Sequence, residues 1–193
     1  MAQKFTGYMG DLSPEQEQAM QEIESWVRNE NILNMEMLRF DSHDILRFCR
    51  ARKFDVVKVK LMLSEFAQWR KDENIDTLYE TWVWPRKPEF KRLYPFCAHK
   101  TDKLGRPMQI ERCGMADFDG IFRDFADENG SIIRNLQHQC EWYRYLIYPS
   151  CSRAHNNVHI ESGVQIFDLT DGSVRKMMSK QCLALLKMGS KVA

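Results

Sequence analysis

The chain has 193 residues, 44% of them hydrophobic and 28% charged, with a formal net charge of +1. That is the mix of one globular domain, or of one domain with a smaller appendage. A charge so near zero excludes the global field of a nucleic-acid binder, so any anion site must be local. The six cysteines (49, 97, 113, 140, 151 and 182) show no CxxC spacing. This argues against a structural zinc site or a thioredoxin-like motif and reads as reduced cytosolic thiols. The opening MAQKFTGYMG lacks the apolar run of a secretory signal. No stretch reaches the ~18 apolar residues of a membrane span, so a membrane would be met from its surface.

In chain order, Ser13 is a good N-cap, Pro14 suits the first helical position and Gln16 can complete a capping box. Ala19, Ile23, Trp26 and Val27 then follow at helical spacing. Asp41 or Ser42 can cap a short helix running to about Arg52, with Ile45, Leu46, Phe48 and Cys49 on its apolar side. Asp55 caps the next, in which Val59, Met62, Leu63, Phe66 and Trp69 keep an amphipathic pattern. Residues 11–75 therefore predict an antiparallel helical bundle. Pro85, Pro88 and Pro95 exclude a continuous helix, and 76–96 reads as a connection.

In the second half, 97–193, Gly105 sits in a turn, and PMQIER alternates with Met108 and Ile110 on one face. A long helix starts at Ser131, carries Ile132, Leu136, Cys140, Tyr143 and Ile147, and is expected to end before Pro149. Residues 164–169, VQIFDL, predict a strand covered on both faces, and 157–161 could add another. A helix over 173–188 follows, with Val174, Met177, Met178, Cys182 and Leu185 on its stripe. Strand, helix, strand, helix suggests a parallel sheet with crossover helices. Two or three strands are fewer than the usual ~4–6, so this half reads as unfinished.

The candidate chemistry is sparse. His155 and His159 lie four apart, but Asn156 and Asn157 favour a loop, and surface histidines are the simpler reading. Asp168 and Asp171 are spaced wrongly for an aspartyl-nucleophile phosphatase; Asp171-Gly172 suits a turn, with Ser173 capping the next helix. No G-x-S-x-G elbow, P-loop or G-x-G-x-x-G occurs, and nothing points to an enzyme, a metal or a cofactor. What stands out is Arg47, Arg50, Arg52, Lys53, Lys58 and Lys60 against Asp44 and Asp55. Arg47 and Arg50, flanked by core residues, read as a solvated or salt-bridged face. Arg52 and Lys53, at a helix end, could be the same, or could reach a phosphate as planar fork and point charge.

The stretch ILRFCRARKFDVVKVKLMLSEFAQWRK, residues 45–71, resembles the N-terminal helical segment of the CRAL-TRIO (Sec-fourteen-like) lipid-transfer proteins. LYPFCAHKTDKLGRPM (93–108), IRNLQHQCEWYRYLIYPSCSRA (133–154) and IESGVQIFDLTDG (160–172) agree in the same order. The agreement spans roughly 12–190 and is nearest the phosphatidylinositol/phosphatidylcholine transfer branch. The resemblance implies an α/β fold: an N-terminal antiparallel helical bundle, then a lipid-binding domain with a mostly parallel sheet, here incomplete. It assigns Arg52 and Lys53 to a phosphoinositide headgroup. Gly163 and Gln165 fall where the transfer proteins carry a Ser and a Thr touching the phosphatidylcholine phosphate, so they are candidate lipid-pocket positions that put choline-lipid binding in doubt.

The implied function is non-catalytic binding and transfer of a phospholipid, of phosphatidylinositol type, linked to phosphoinositide supply and vesicle trafficking. The implied location is the cytoplasm, peripheral to Golgi or endosomal membranes, with no cofactor beyond the lipid and no nucleic-acid partner. The alternative is a shortened, lipid-incompetent module for protein interaction or regulation. The missing strands would leave the 164–169 strand exposed.

Overall fold

Three helices, α1 (Pro14–Asn29), α2 (Ser42–Ala51) and α3 (Val56–Asp72), begin at the predicted caps. Ser13 and Gln16 form a reciprocal capping box, with Ser13 Oγ accepting from Gln16 N at 3.2 Å and Gln16 Oε1 accepting from Ser13 N at 3.0 Å. Asp41, not Ser42, caps α2 by accepting from His43 N at 2.9 Å and Asp44 N at 3.2 Å. Asp55 caps α3 by accepting from Lys58 N at 3.1 Å. These helices belong to the first of two units, Met1–Asp76 and Thr77–Ala193, in the computed structural model, which describes residues 5–125 and 129–189. The apolar stripes of all three meet in one core, where Ile23, Val27, Ile45, Leu46, Val59 and Leu63 are completely buried. Phe48, only half-buried, packs against its edge, with Phe40 and Phe66 at centroid distances of 6.0 and 5.2 Å.

The second unit opens with α4 (Leu78–Thr81) and α5 (Lys87–Leu93), inside the stretch expected to be a plain connection. Pro88 breaks no helix here because it lies in the first turn of α5, where its missing N–H would have had no partner. Strands β1 (Phe96–Thr101), β2 (Pro107–Glu111) and β3 (Val164–Phe167) form a sheet in that order. Its pairing is mixed, β1 with β2 antiparallel and β2 with β3 parallel. Helices α6 (Phe118–Asp124), α7 (Asn129–Trp142) and α8 (Tyr148–Ala154) lie between β2 and β3. Helices α9 (Val174–Met177) and α10 (Lys180–Gly189) follow. Trp84, Phe90, Phe118, Ile121, Phe125, Ile132 and Cys182 form the second core.

Three expectations change. Pro149 does not follow the end of the long helix: α7 runs through a π-helical turn, Tyr143–Ile147, into α8, with Pro149 in the first turn of α8. A proline ring crowds the carbonyl four residues back in an ordinary helix, and the wider turn relieves that conflict. The helix expected over 173–188 divides, because Ser173 Oγ caps α9 at Lys176 N (3.2 Å) while Ser179 Oγ accepts from Cys182 N (3.2 Å) and starts α10. Residues 157–161 form no strand; Ile160 N instead donates to Ser152 Oγ at 2.9 Å.

Candidate functional site

In the first unit the corner between α2 and α3 sets the site. Arg52 ends α2, and Lys53 and Phe54 then take positive φ values of 52° and 61°. Two consecutive non-glycine residues in the left-handed region carry strain that the surroundings must over-determine. Phe54 N donates to Cys49 O at 2.8 Å, and its ring packs against the core. A Cβ on Gly7, whose φ is +80°, would come within 3.0 Å of that ring, so the N-terminal segment closes over it. The turn fixes Phe54 inward and leaves Arg52 and Lys53 exposed.

The nearby cations divide by partner. Arg47 lies 3.7 Å from Asp44, Lys58 2.7 Å from Asp55 and Lys60 2.8 Å from Glu22. Arg50 donates to Gly7 O at 3.2 Å, and its guanidinium lies 3.9 Å from the Tyr8 ring centroid, so it ties down the N-terminal segment. Among the described residues the Arg52 guanidinium donates only to its neighbour's carbonyl, Ala51 O, at 3.2 Å. Among the described residues neither Arg52 nor Lys53 meets a carboxylate. Their charges are uncompensated, adjacent and held by a strained turn, an arrangement that can receive an exposed phosphate.

In the second unit the parallel register sets Gln109 opposite Gln165. The two amides and the buried Glu111 form a polar node, in which the Glu111 carboxyl accepts from Gln109 Nε2 at 2.8 Å, from Tyr94 Oη at 2.6 Å and from Gln165 Nε2. Gln139 Nε2 extends the chain to Gln109 Oε1 at 3.2 Å. Burial, then the contacts with Cys113 and Glu111, push the Tyr94 hydroxyl well above the ordinary phenol range, so it keeps its proton and donates. Burial likewise raises the Cys113 thiol. Gln165 is thus engaged with its own sheet. A Cβ on Gly163 would sit 3.1 Å from Pro107 O, so this position is tight as well as lacking a hydroxyl.

The remaining sequence candidates are structural. His155 covers Gly105 in the β1–β2 turn, and His159 Nε2 lies 3.4 Å from Glu161. Asp168 accepts from Thr170 N at 2.9 Å and from Arg112 Nε at 3.3 Å; the Thr170 side chain, then its N–H, chiefly hold the Asp168 carboxyl below the usual range. Asp171, with φ of 64°, makes the expected turn. The polar node escaped sequence reading. Its one signal is the parity of Gln109 and Glu111 on a strand, which acquires meaning only once β3 is placed alongside.

Residues 3–65 match the family described as CRAL/TRIO, N-terminal domain. The SEC14 cytosolic factor of Yarrowia lipolytica is 33% identical over 187 residues, 97% of this chain and 36% of that protein. That of Kluyveromyces lactis is 31% identical over 188 residues, 97% of this chain and 60% of its own. The phosphatidylinositol/phosphatidylcholine transfer protein SFH7 of Arabidopsis thaliana is 35% identical over 147 residues, 76% of this chain and 26% of its own. The chain thus spans between 36% and 60% of the length of the SEC14 relatives compared. Among its described residues no helix is long and apolar enough to cross a membrane. Residues 3–65 thus carry a CRAL/TRIO N-terminal domain, and the chain is similar to SEC14 cytosolic factors along nearly its whole length.

Proposed function

We propose that the chain binds a phospholipid of phosphatidylinositol type through its phosphate and takes part in moving it between membranes, without catalysis. The observation that carries this reading is the pair Arg52 and Lys53, exposed and without a carboxylate on a turn with two positive φ values. The names of the relatives, phosphatidylinositol/phosphatidylcholine transfer proteins among them, support the lipid class. Phosphatidylinositol is favoured over phosphatidylcholine because Gln165 is held by Glu111 and Gly163 offers no hydroxyl. The protein would work in the cytoplasm, at the surface of Golgi or endosomal membranes, in phosphoinositide supply and vesicle trafficking.

The test compares the chain with its Arg52→Ala/Lys53→Ala variant for binding to vesicles containing phosphatidylinositol. Each lost charge-assisted hydrogen bond should cost about 1.5 kcal/mol, the low end for an exposed site, or roughly a hundredfold for the pair. Arg47→Ala, which removes a cation already beside Asp44, should change little. Equal binding by the folded double variant would reject this assignment.

A further inference from the structure

A cavity of about 180 Å³ lies within the second unit, lined by Lys87 and Lys91 of α5, Phe96 of β1, Gln139 and Trp142 of α7, and Tyr143 of the π turn. No Asp or Glu lines it. The acid nearest the two lysines in sequence, Glu89, is taken by Arg86 at 2.9 Å. Lys91 Nζ lies 5.0 Å from the Phe96 ring centroid, and among the described residues neither lysine forms an ion pair. Burial and the positive field of Lys91 together lower the pKa of Lys87, the mark of a cation set in a partly dry place beside another. His138, also on the lining, stacks on Tyr79 at 6.1 Å, and burial followed by Lys87 disfavours its protonation.

The Tyr143 hydroxyl oxygen is buried, with no hydrogen-bond partner and almost no accessible surface, so Tyr143 serves the cavity as part of its wall. Gln139 spends one N–H on Gln109 and keeps its carbonyl oxygen and second N–H. Half-buried Lys87 and exposed Lys91, four residues apart on α5, thus stand beside aromatic walls with no acid on the lining.

We propose that this cavity binds a small phosphomonoester, its phosphate between Lys87 and Lys91 and its apolar part against Phe96 and Trp142. A monoester brings close to two negative charges near neutral pH and matches both lysines. A diester or a carboxylate brings one and leaves an ammonium uncompensated. The volume is below the ~300–1,000 Å³ of drug-sized ligands and suits a group the size of glycerol phosphate. Such a phosphate could come from a soluble metabolite or from the head of a lipid monoester.

Calorimetric titration of the whole chain with inorganic phosphate, glycerol 3-phosphate and phosphatidic acid vesicles tests this. Saturable binding of glycerol 3-phosphate marks a soluble source; binding of phosphatidic acid alone marks a lipid source. Lys87→Gln and Lys91→Gln should each weaken that binding by about tenfold or more. Arg47→Ala, whose cation already lies beside Asp44, should bind as the parent does. Binding weakened by Arg52→Ala/Lys53→Ala but untouched by both lysine changes would place the phosphate at the α2–α3 corner and overturn the proposal. Failure of all three probes to bind, or binding untouched by both lysine changes in folded protein, overturns the proposal.

Discussion

Gly114 shows what a single side chain would do. Its N–H donates to Asp168 O at 2.9 Å, its carbonyl accepts from Lys176 Nζ at 2.6 Å, and an added Cβ would overlap the Thr170 carbonyl. Since backbone, not a flexible side-chain tip, occupies that space, Gly114→Ala should cost the second unit about 3 kcal/mol. A urea titration should show an earlier transition in that unit; an unchanged midpoint would mean that the 168–172 turn moves freely. Gly163 is the milder case, with Pro107 O at 3.1 Å. The sequence shows that a hydroxyl is missing there, but only the packed strands reveal that the space is tight too. Arg52 and Lys53 stand out in the sequence as an adjacent cationic pair at a helix end, but spacing alone left a solvated face and a phosphate site both open, and only the resemblance chose between them. Lys87, Lys91 and Tyr143 did not stand out, since 56 positions of sequence part the first from the last and the fold alone brings them to one cavity.

Elements were legible in proportion to how local their causes are. Ser13, Asp41, Asp55 and Ser173 act on N–H groups two or three residues ahead, so the caps appear in the sequence itself. Asp41→Ala should therefore cost about 1 kcal/mol, seen as a lower denaturant midpoint with unchanged slope. It removes two bonds to α2, while Ser42→Ala should cost less because Ser42 does not cap the helix. A larger effect at Ser42 would contradict the capping assignment. Strand β1 is the opposite case. Five of its six residues are exposed and FCAHKT shows no clean alternation, so its extended form comes from pairing with β2. The turn that brings them together is itself side-chain driven, with Asp102 Oδ1 accepting from Leu104 N and Arg106 N, both at 2.9 Å.

At the scale of the molecule the two units differ in how completely they cover their apolar surface. In the first, the stripes of α1, α2 and α3 share one core, with Ile23, Val27, Ile45, Leu46, Cys49, Val59 and Leu63 all at 0% exposure. In the second, among the described residues, β3 has a paired neighbour on one side only, and Ile166, Phe167 and Leu169 are 41%, 54% and 58% exposed. Edge amides of a strand exchange with solvent unless something pairs with them, and exposed apolar residues beside them invite association. Hydrogen exchange should therefore find the slowest amides in α1, α2 and α3 and fast exchange along β3. Ile166→Lys should lower light scattering at high protein concentration, because charge on an edge opposes strand-to-strand pairing. Protection of β3 equal to that of α2 in dilute protein would show that the edge is covered in solution, and Ile166→Lys would then leave scattering unchanged.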